Sequence, residues 1–119
     1  MLAIYYAHGK HLYDTPQEKR DVLLLESLGF EVLNPNTLEH QKACEQYWNE
    51  MAYFHDLVRR CQALAFRGTP DGSIPAGVDS EIQVAQRYGK PIIELPCGLG
   101  IRGMDVEETR EYFRDIGQR

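Results

Sequence analysis

Apolar residues recur along this chain in two rhythms, short runs and longer stripes spaced three or four apart. Nearly unbroken runs of strand length stand at Leu2–Tyr6, Phe30–Leu33, Ala63–Phe66 and Pro91–Leu95. Such runs predict strands covered on both faces, as in a parallel sheet. Between them the period lengthens. From Thr15 to about Leu28, Val22, Leu25 and Leu28 share one helical face. Thr15 can cap that helix, Pro16 suits its first position, Glu18 completes a capping box, and Gly29 ends it. From about Glu39 to Gln62 a long helix is predicted, with a stripe of Tyr47, Met51, Phe54 and Val58. Trp48, Ala52 and His55 lie beside that stripe. Across Gly77–Gly89 the spacing of Val78, Ile82 and Ala85 predicts another helix, closed by Gly89 and barred from continuing by Pro91. A last helix is predicted from Asp105, with Val106, Thr109, Tyr112 and Phe113 inward and Gly117 at its end.

Strands alternating with helices predict an α/β fold. The expected architecture is three-layered: a small parallel sheet of four or five strands with helices on both faces, flavodoxin-like or Rossmann-like. The simplest winding gives strand order 2-1-3-4 with right-handed crossovers. No linker or repeat interrupts the chain, so residues 1–119 are expected to form a single domain. The apolar fraction of 43% and charged fraction of 26% are those of an ordinary globular protein. A net charge of −5 without any basic run argues against nucleic acid or an anionic membrane as partner. No apolar run is long enough to span a bilayer. Cys44, Cys61 and Cys97 show no metal-binding spacing, which predicts reduced thiols in a cytoplasmic protein and no zinc site. The stripe on the long helix is broader than one face against a small sheet needs. It therefore also predicts a homo-oligomer, with ordinary core as the competing explanation.

Ligands of open α/β sheets bind beyond the carboxyl ends of the strands. The loop Ala7-His8-Gly9-Lys10-His11 follows the first strand and faces that side. Gly9 would let a ligand approach the backbone, and His8, Lys10 and His11 could meet an anion. The spacing is neither that of a P-loop nor that of a dinucleotide fingerprint. Tyr13 and Asp14 are further candidates. The loop GTPDGSIPAG after the third strand contributes Asp71 and Ser73, with Gly77 and Asp79 at its far end. Glu81 is expected in the first turn of its helix, where the macrodipole favours an ionised carboxylate, so it is either a nucleophile or anchor or simply a helix-start acid. Asp56 stands late in its helix, where the dipole opposes an acid; it is solvated or held there for a reason.

Three blocks carry a resemblance to a known family. They are Ala3-Ile4-Tyr5-Tyr6-Ala7-His8-Gly9, then His55-Asp56-Leu57 ahead of Ala63–Phe66, then Gly77-Val78-Asp79-Ser80-Glu81-Ile82 with Ala85 and Gly89-Lys90-Pro91. In order and spacing the chain resembles the nucleoside 2-deoxyribosyltransferases and their relatives that hydrolyse deoxynucleoside 5′-monophosphates. The likeness covers residues 2 to about 95. It implies an enzyme, transferase or hydrolase, that breaks N-glycosidic bonds through a covalent glycosyl ester on Glu81. Tyr5 would then hydrogen-bond the nucleophile, and Asp56 would orient the substrate or carry a proton to the departing base. No metal or other cofactor is implied, and the partner is a small nucleoside or nucleotide. The chain also departs from that pattern. Pro75 stands where the transferases have an Asp and the hydrolases a Ser. Gln83 replaces a Gly, and Gly9 stands in place of a phosphate-binding Ser. Lys10 and Ser73 are the candidates to contact phosphate instead. The competing expectations are a nucleotide-binding module without chemistry, and an interaction subunit that works through the Trp48 helix.

Overall fold

The computed structural model describes residues 2–47, 49–69 and 72–95. Four strands, β1 (Ala3–Ala7), β2 (Glu31–Leu33), β3 (Ala63–Phe66) and β4 (Ile92–Glu94), form one sheet in the order β2-β1-β3-β4. Every neighbouring pair is parallel. The two central strands are the two most continuous apolar runs, and all four residues of β3 are buried. Alternation then sorts their side chains between two cores. Tyr5, Ala7, Leu64 and Phe66 face one way, and Ile4, Tyr6, Ala63 and Ala65 the other.

Helix α1 (Pro16–Ser27) supplies Val22 and Leu25 to the core around Ile4 and Tyr6. Helices α3 (Glu50–Arg60) and α4 (Ala76–Arg87) cover the opposite face, burying Tyr53, Leu57, Val58, Val78, Ile82, Val84 and Ala85 against Tyr5 and Leu64. The fold is thus the expected three-layer α/β arrangement. Leu28, expected on the inner face of the first helix, instead lies beyond its last turn and is 60% exposed.

The long helix predicted over 39–62 is two helices. Helix α2 runs Leu38–Cys44, and α3 begins only at Glu50. Each has its own cap: Thr37 accepts from the His40 N–H and Asn49 from the Ala52 N–H. Asn at the N-cap satisfies one of the orphan amides of a helix start, so it favours a new beginning over continuation. Tyr47 therefore falls outside any helix, and the buried face of α3 is Tyr53, Leu57 and Val58 rather than the Met51–Phe54–Val58 line. Trp48, Asp71, Cys97 and the predicted last helix lie outside the described residues. No described helix is long and apolar enough to cross a membrane.

One polar network lies inside the α1 face. The Asp21 carboxylate is buried and accepts hydrogen bonds from the Tyr6 hydroxyl (2.5 Å), Arg67 Nε (2.6 Å), Arg67 Nη2 (2.8 Å) and Gln17 Nε2 (2.9 Å). It ties α1 to β1 and to the carboxyl end of β3. A buried carboxylate with this many donors is tolerated where an unpaired one would not be.

Candidate active site

A cleft of about 490 Å3 opens beyond the carboxyl end of β1. Tyr5 contributes from β1, and His8, Gly9, Lys10 and Tyr13 from the turn that follows. Glu50, Met51 and Phe54 enter from α3, Pro35 from the loop after β2, and Pro75, Gly77, Val78 and Glu81 from α4 and its approach. Apolar groups dominate this wall, so the few polar atoms on it stand out.

One polar contact of the cleft joins residues far apart in the chain. The Tyr5 hydroxyl, on a fully buried side chain, donates to Glu81 Oε2 at 2.7 Å. Burial pushes the Tyr5 hydroxyl well above its ordinary range, and the Glu81 charge and the hydrogen bond to it push the same way. Burial also pushes the Glu81 carboxyl up to about 7, against the opposing pull of the Tyr5 hydrogen bond. This reverses the expectation of a carboxylate held ionised by the helix dipole. Helix α4 starts at Ala76, so Glu81 lies in the second turn, past the reach of the dipole, and desolvation decides. Tyr13, on the same wall, is raised to about 12, first by burial and then by Glu81.

The raised Glu81 carboxyl has a consequence for stability. Its ordinary value is 4.5 and its folded value about 7, so the folded chain binds this proton more tightly than the unfolded chain does. That contribution is fully present below pH 4.5 and is lost as pH rises through 7. Its size is on the order of 3 kcal/mol. We expect Glu81→Gln, which keeps the shape and removes the charge, to match the parent near pH 4 and to melt higher than it at pH 8. Thermal denaturation at the two pH values checks this. An equal offset at both pH values would contradict the assignment.

His8 does line the cleft but has no N–H to offer a ligand. Its ring lies flat on Tyr6, with centroids 3.8 Å apart and 6° between planes. Nδ1 stands 3.1 Å from the Tyr6 carbonyl oxygen, and Nε2 stands 2.8 Å from Glu18 Oε2. A carbonyl only accepts, so Nδ1 donates to it, and the Nε2–Glu18 contact is a hydrogen bond only when the pair holds a second proton. Burial opposes that charge and pushes the His8 imidazole below its ordinary range, with the Glu18 hydrogen bond pulling the other way. Burial raises the Glu18 carboxyl, but hydrogen bonds from His8, Asn36 and the Asp14 N–H outweigh it and hold Glu18 below its ordinary range. Glu18 also receives the expected cap, its N–H donating to Thr15 Oγ1 at 3.3 Å. Its carboxylate reaches back to the N–H of Asp14 rather than to that of Thr15.

Gly9 brings the turn close to the far wall. A Cβ there would meet the His11 ring at 2.6 Å and Pro75 Cγ at 3.3 Å, so a larger residue would push the two walls apart.

Three expected site residues stand elsewhere. Asp56 is paired with Arg59 and with Arg60, the latter at 2.7 Å, and does not line the cleft. At 3.6 residues per turn, Asp56 falls about half a turn round α3 from Glu50, Met51 and Phe54, which do. The two arginines in the last turn also offset the unfavourable dipole that an acid meets there. Asp79 is turned away from the Gly77–Val78–Glu81 wall in the same manner, and accepts from Gln83 Nε2 at 2.9 Å. Ser73 is occupied by Thr69 within its own loop. We expect Asp56→Ala to change ligand affinity at the cleft by less than about twofold and to cost about 1 kcal/mol or less of stability. Titration calorimetry and thermal melting read the two effects separately. A tenfold loss of affinity would return Asp56 to the site.

Sequence reasoning missed Glu50, Met51, Phe54, Pro35 and Val78 as wall residues, and reached Pro75 only as a departure from the resembling family's pattern. Met51 and Phe54 had a helical signal, but it reads equally as core. Among the described residues no group of three or more His, Cys, Asp or Glu side chains is placed to hold a metal ion. The sequence matches no protein-family model, and no curated protein matches it.

Proposed function

We propose that this chain breaks or transfers N-glycosidic bonds of deoxynucleosides or nucleotides, with Glu81 as nucleophile. The observation that carries this reading is the Glu81 carboxyl itself. It is set into an apolar cleft at the carboxyl edge of a parallel sheet, with one oxygen held by the buried Tyr5 hydroxyl. A carboxyl near 7 is present in both protonation states at neutral pH. Its ionised form carries little hydration in such a cleft and is correspondingly reactive.

The steps follow from these groups. A Glu81 carboxylate oxygen adds to the anomeric carbon of the sugar. The carbon–nitrogen bond breaks, its electron pair stays with the base, and the base takes a proton from water at the open mouth. Water or a second base then attacks the same carbon, its proton passing to the hydroxide left by the first step, the ester bond breaks, and the Glu81 carboxylate is restored. The Tyr5 hydrogen bond fixes which oxygen is free to attack. It also stabilises the carboxylate as it departs in the second step.

The test is incubation with a panel of deoxynucleosides and their 5′-monophosphates, reading free base by chromatography. Base released by the parent and not by Glu81→Gln is the expected result. Release that persists in the variant, or no release from any substrate, would overturn the proposal. The position of Asp56 outside the cleft favours one second reading, a binding module that holds a nucleotide without cleaving it. Saturable thermal stabilisation without base release would select that reading. Met51 and Tyr47 leave apolar surface exposed near α3. That surface suits contact with a second copy of the chain, and sedimentation velocity would detect the dimer.

A further inference from the structure

Besides Glu81, the acidic and basic groups on the cleft wall include one opposed pair of side chains. Lys10 Nζ lies 3.5 Å from Glu50 Oε1, joining the turn after β1 to the first residue of α3. Both side chains are exposed, at 78% and 57%, so they stand at the mouth rather than in the depth. Among the described residues that line the cleft, Lys10 is the one lysine or arginine. His8 cannot stand in for it, since both its nitrogens are engaged inside the protein. The start of α3 offers an anion little more. Asn49 already caps it, and Glu50 sets a carboxylate in its first turn.

A ligand carrying a phosphate could reach a free N–H of Lys10 only with the Glu50 carboxylate standing beside it, since that carboxylate lies 3.5 Å from the ammonium. Glu81 also lies on the wall. An uncharged ligand avoids this repulsion and uses the apolar surface. Exposed ion pairs contribute little to stability. Even so, an acid beside Lys10 can bias the choice between two ligands that differ only in charge.

We propose that Glu50 is a specificity residue: by holding Lys10 at the mouth of the cleft, it makes the site take uncharged nucleosides in preference to their 5′-monophosphates. The inference rests on the cleft being a nucleoside or nucleotide site, and the experiment separates the two ideas. Calorimetric affinities are measured at low ionic strength for each of the four common deoxynucleosides and its 5′-monophosphate. Glu81→Gln serves as the background, so that no ligand is consumed. The expected preference for the nucleoside is about tenfold with Glu50 present, falling to about twofold or reversing in Glu50→Gln. Adding Lys10→Gln to Glu50→Gln should weaken the monophosphate again by several-fold more than it weakens the nucleoside, a pattern that local unfolding would not produce.

Monophosphates that bind as tightly as nucleosides while Glu50 is present would overturn this inference alone. So would a preference that Glu50→Gln leaves untouched. Absence of binding by every nucleoside and nucleotide would overturn the underlying reading and this inference with it. The expected preference without base release by the parent protein would leave Glu50 in its role and remove only the chemistry.

Discussion

Glutamine at position 81 is expected to lower base release by a factor on the order of 1,000 or more while leaving the cleft intact. The amide has the same outline as the acid and its oxygen still accepts the Tyr5 hydrogen bond, which spans 2.7 Å in the parent. What it lacks is a lone pair basic enough to displace a purine or pyrimidine from a sugar carbon. The comparison therefore removes the attacking group without removing its surroundings. Single-turnover measurement of free base, with nucleoside affinity measured in parallel, reads the two separately. A loss of affinity equal to the loss of rate would mean that Glu81 only anchors the ligand. An undiminished rate would mean that the chemistry lies elsewhere.

The largest loss of stability is expected from Asp21→Ala. Asp21 is 1% exposed and receives Tyr6, Arg67 and Gln17, so its removal takes the carboxylate away from a buried guanidinium and a buried hydroxyl at once. Breaking such an arrangement from one side costs on the order of 3 kcal/mol or more. For a chain of this size that lowers the melting temperature by roughly 10 °C or more. Asp21→Asn keeps the outline and two lone pairs, so its loss should be smaller than that of the alanine variant. Circular dichroism melting curves of the two variants give the comparison. An alanine variant that melts within about 2 °C of the parent would show that the network contributes little.

Much of the architecture can be read from the pattern of residues because local rules and the final fold agree. Thr15, Pro16 and Glu18 announce the start of α1, and Gly29 and Gly89, with φ of 96° and 67°, close the turns after two helices. The apolar runs of β1 and β3 could only be central strands, which fixes the order once β2 and β4 flank them. Other features are not legible in one dimension. The break before α3 has a signal, Asn49, but the residues on either side are fair helix formers, so periodicity alone runs through it. Whether Asp56 meets the cleft depends on which side of α3 does, and that is set by packing against β1 and α4. The state of Glu81 is decided by how much solvent the fold removes from it, a quantity with no sequence signature. The meeting of Lys10 with Glu50 likewise exists only after the turn and the helix have been brought together.

Glu18 accepts from the imidazole of His8, from Asn36 Nδ2 at 2.9 Å and from the Asp14 amide, all through one carboxylate. Three separate stretches of backbone are thereby pinned at a single point. The lip that carries Lys10 and Tyr13 is consequently preorganised: an incoming molecule finds it already shaped. Little conformational entropy remains to be surrendered on that side of the opening when a guest settles in.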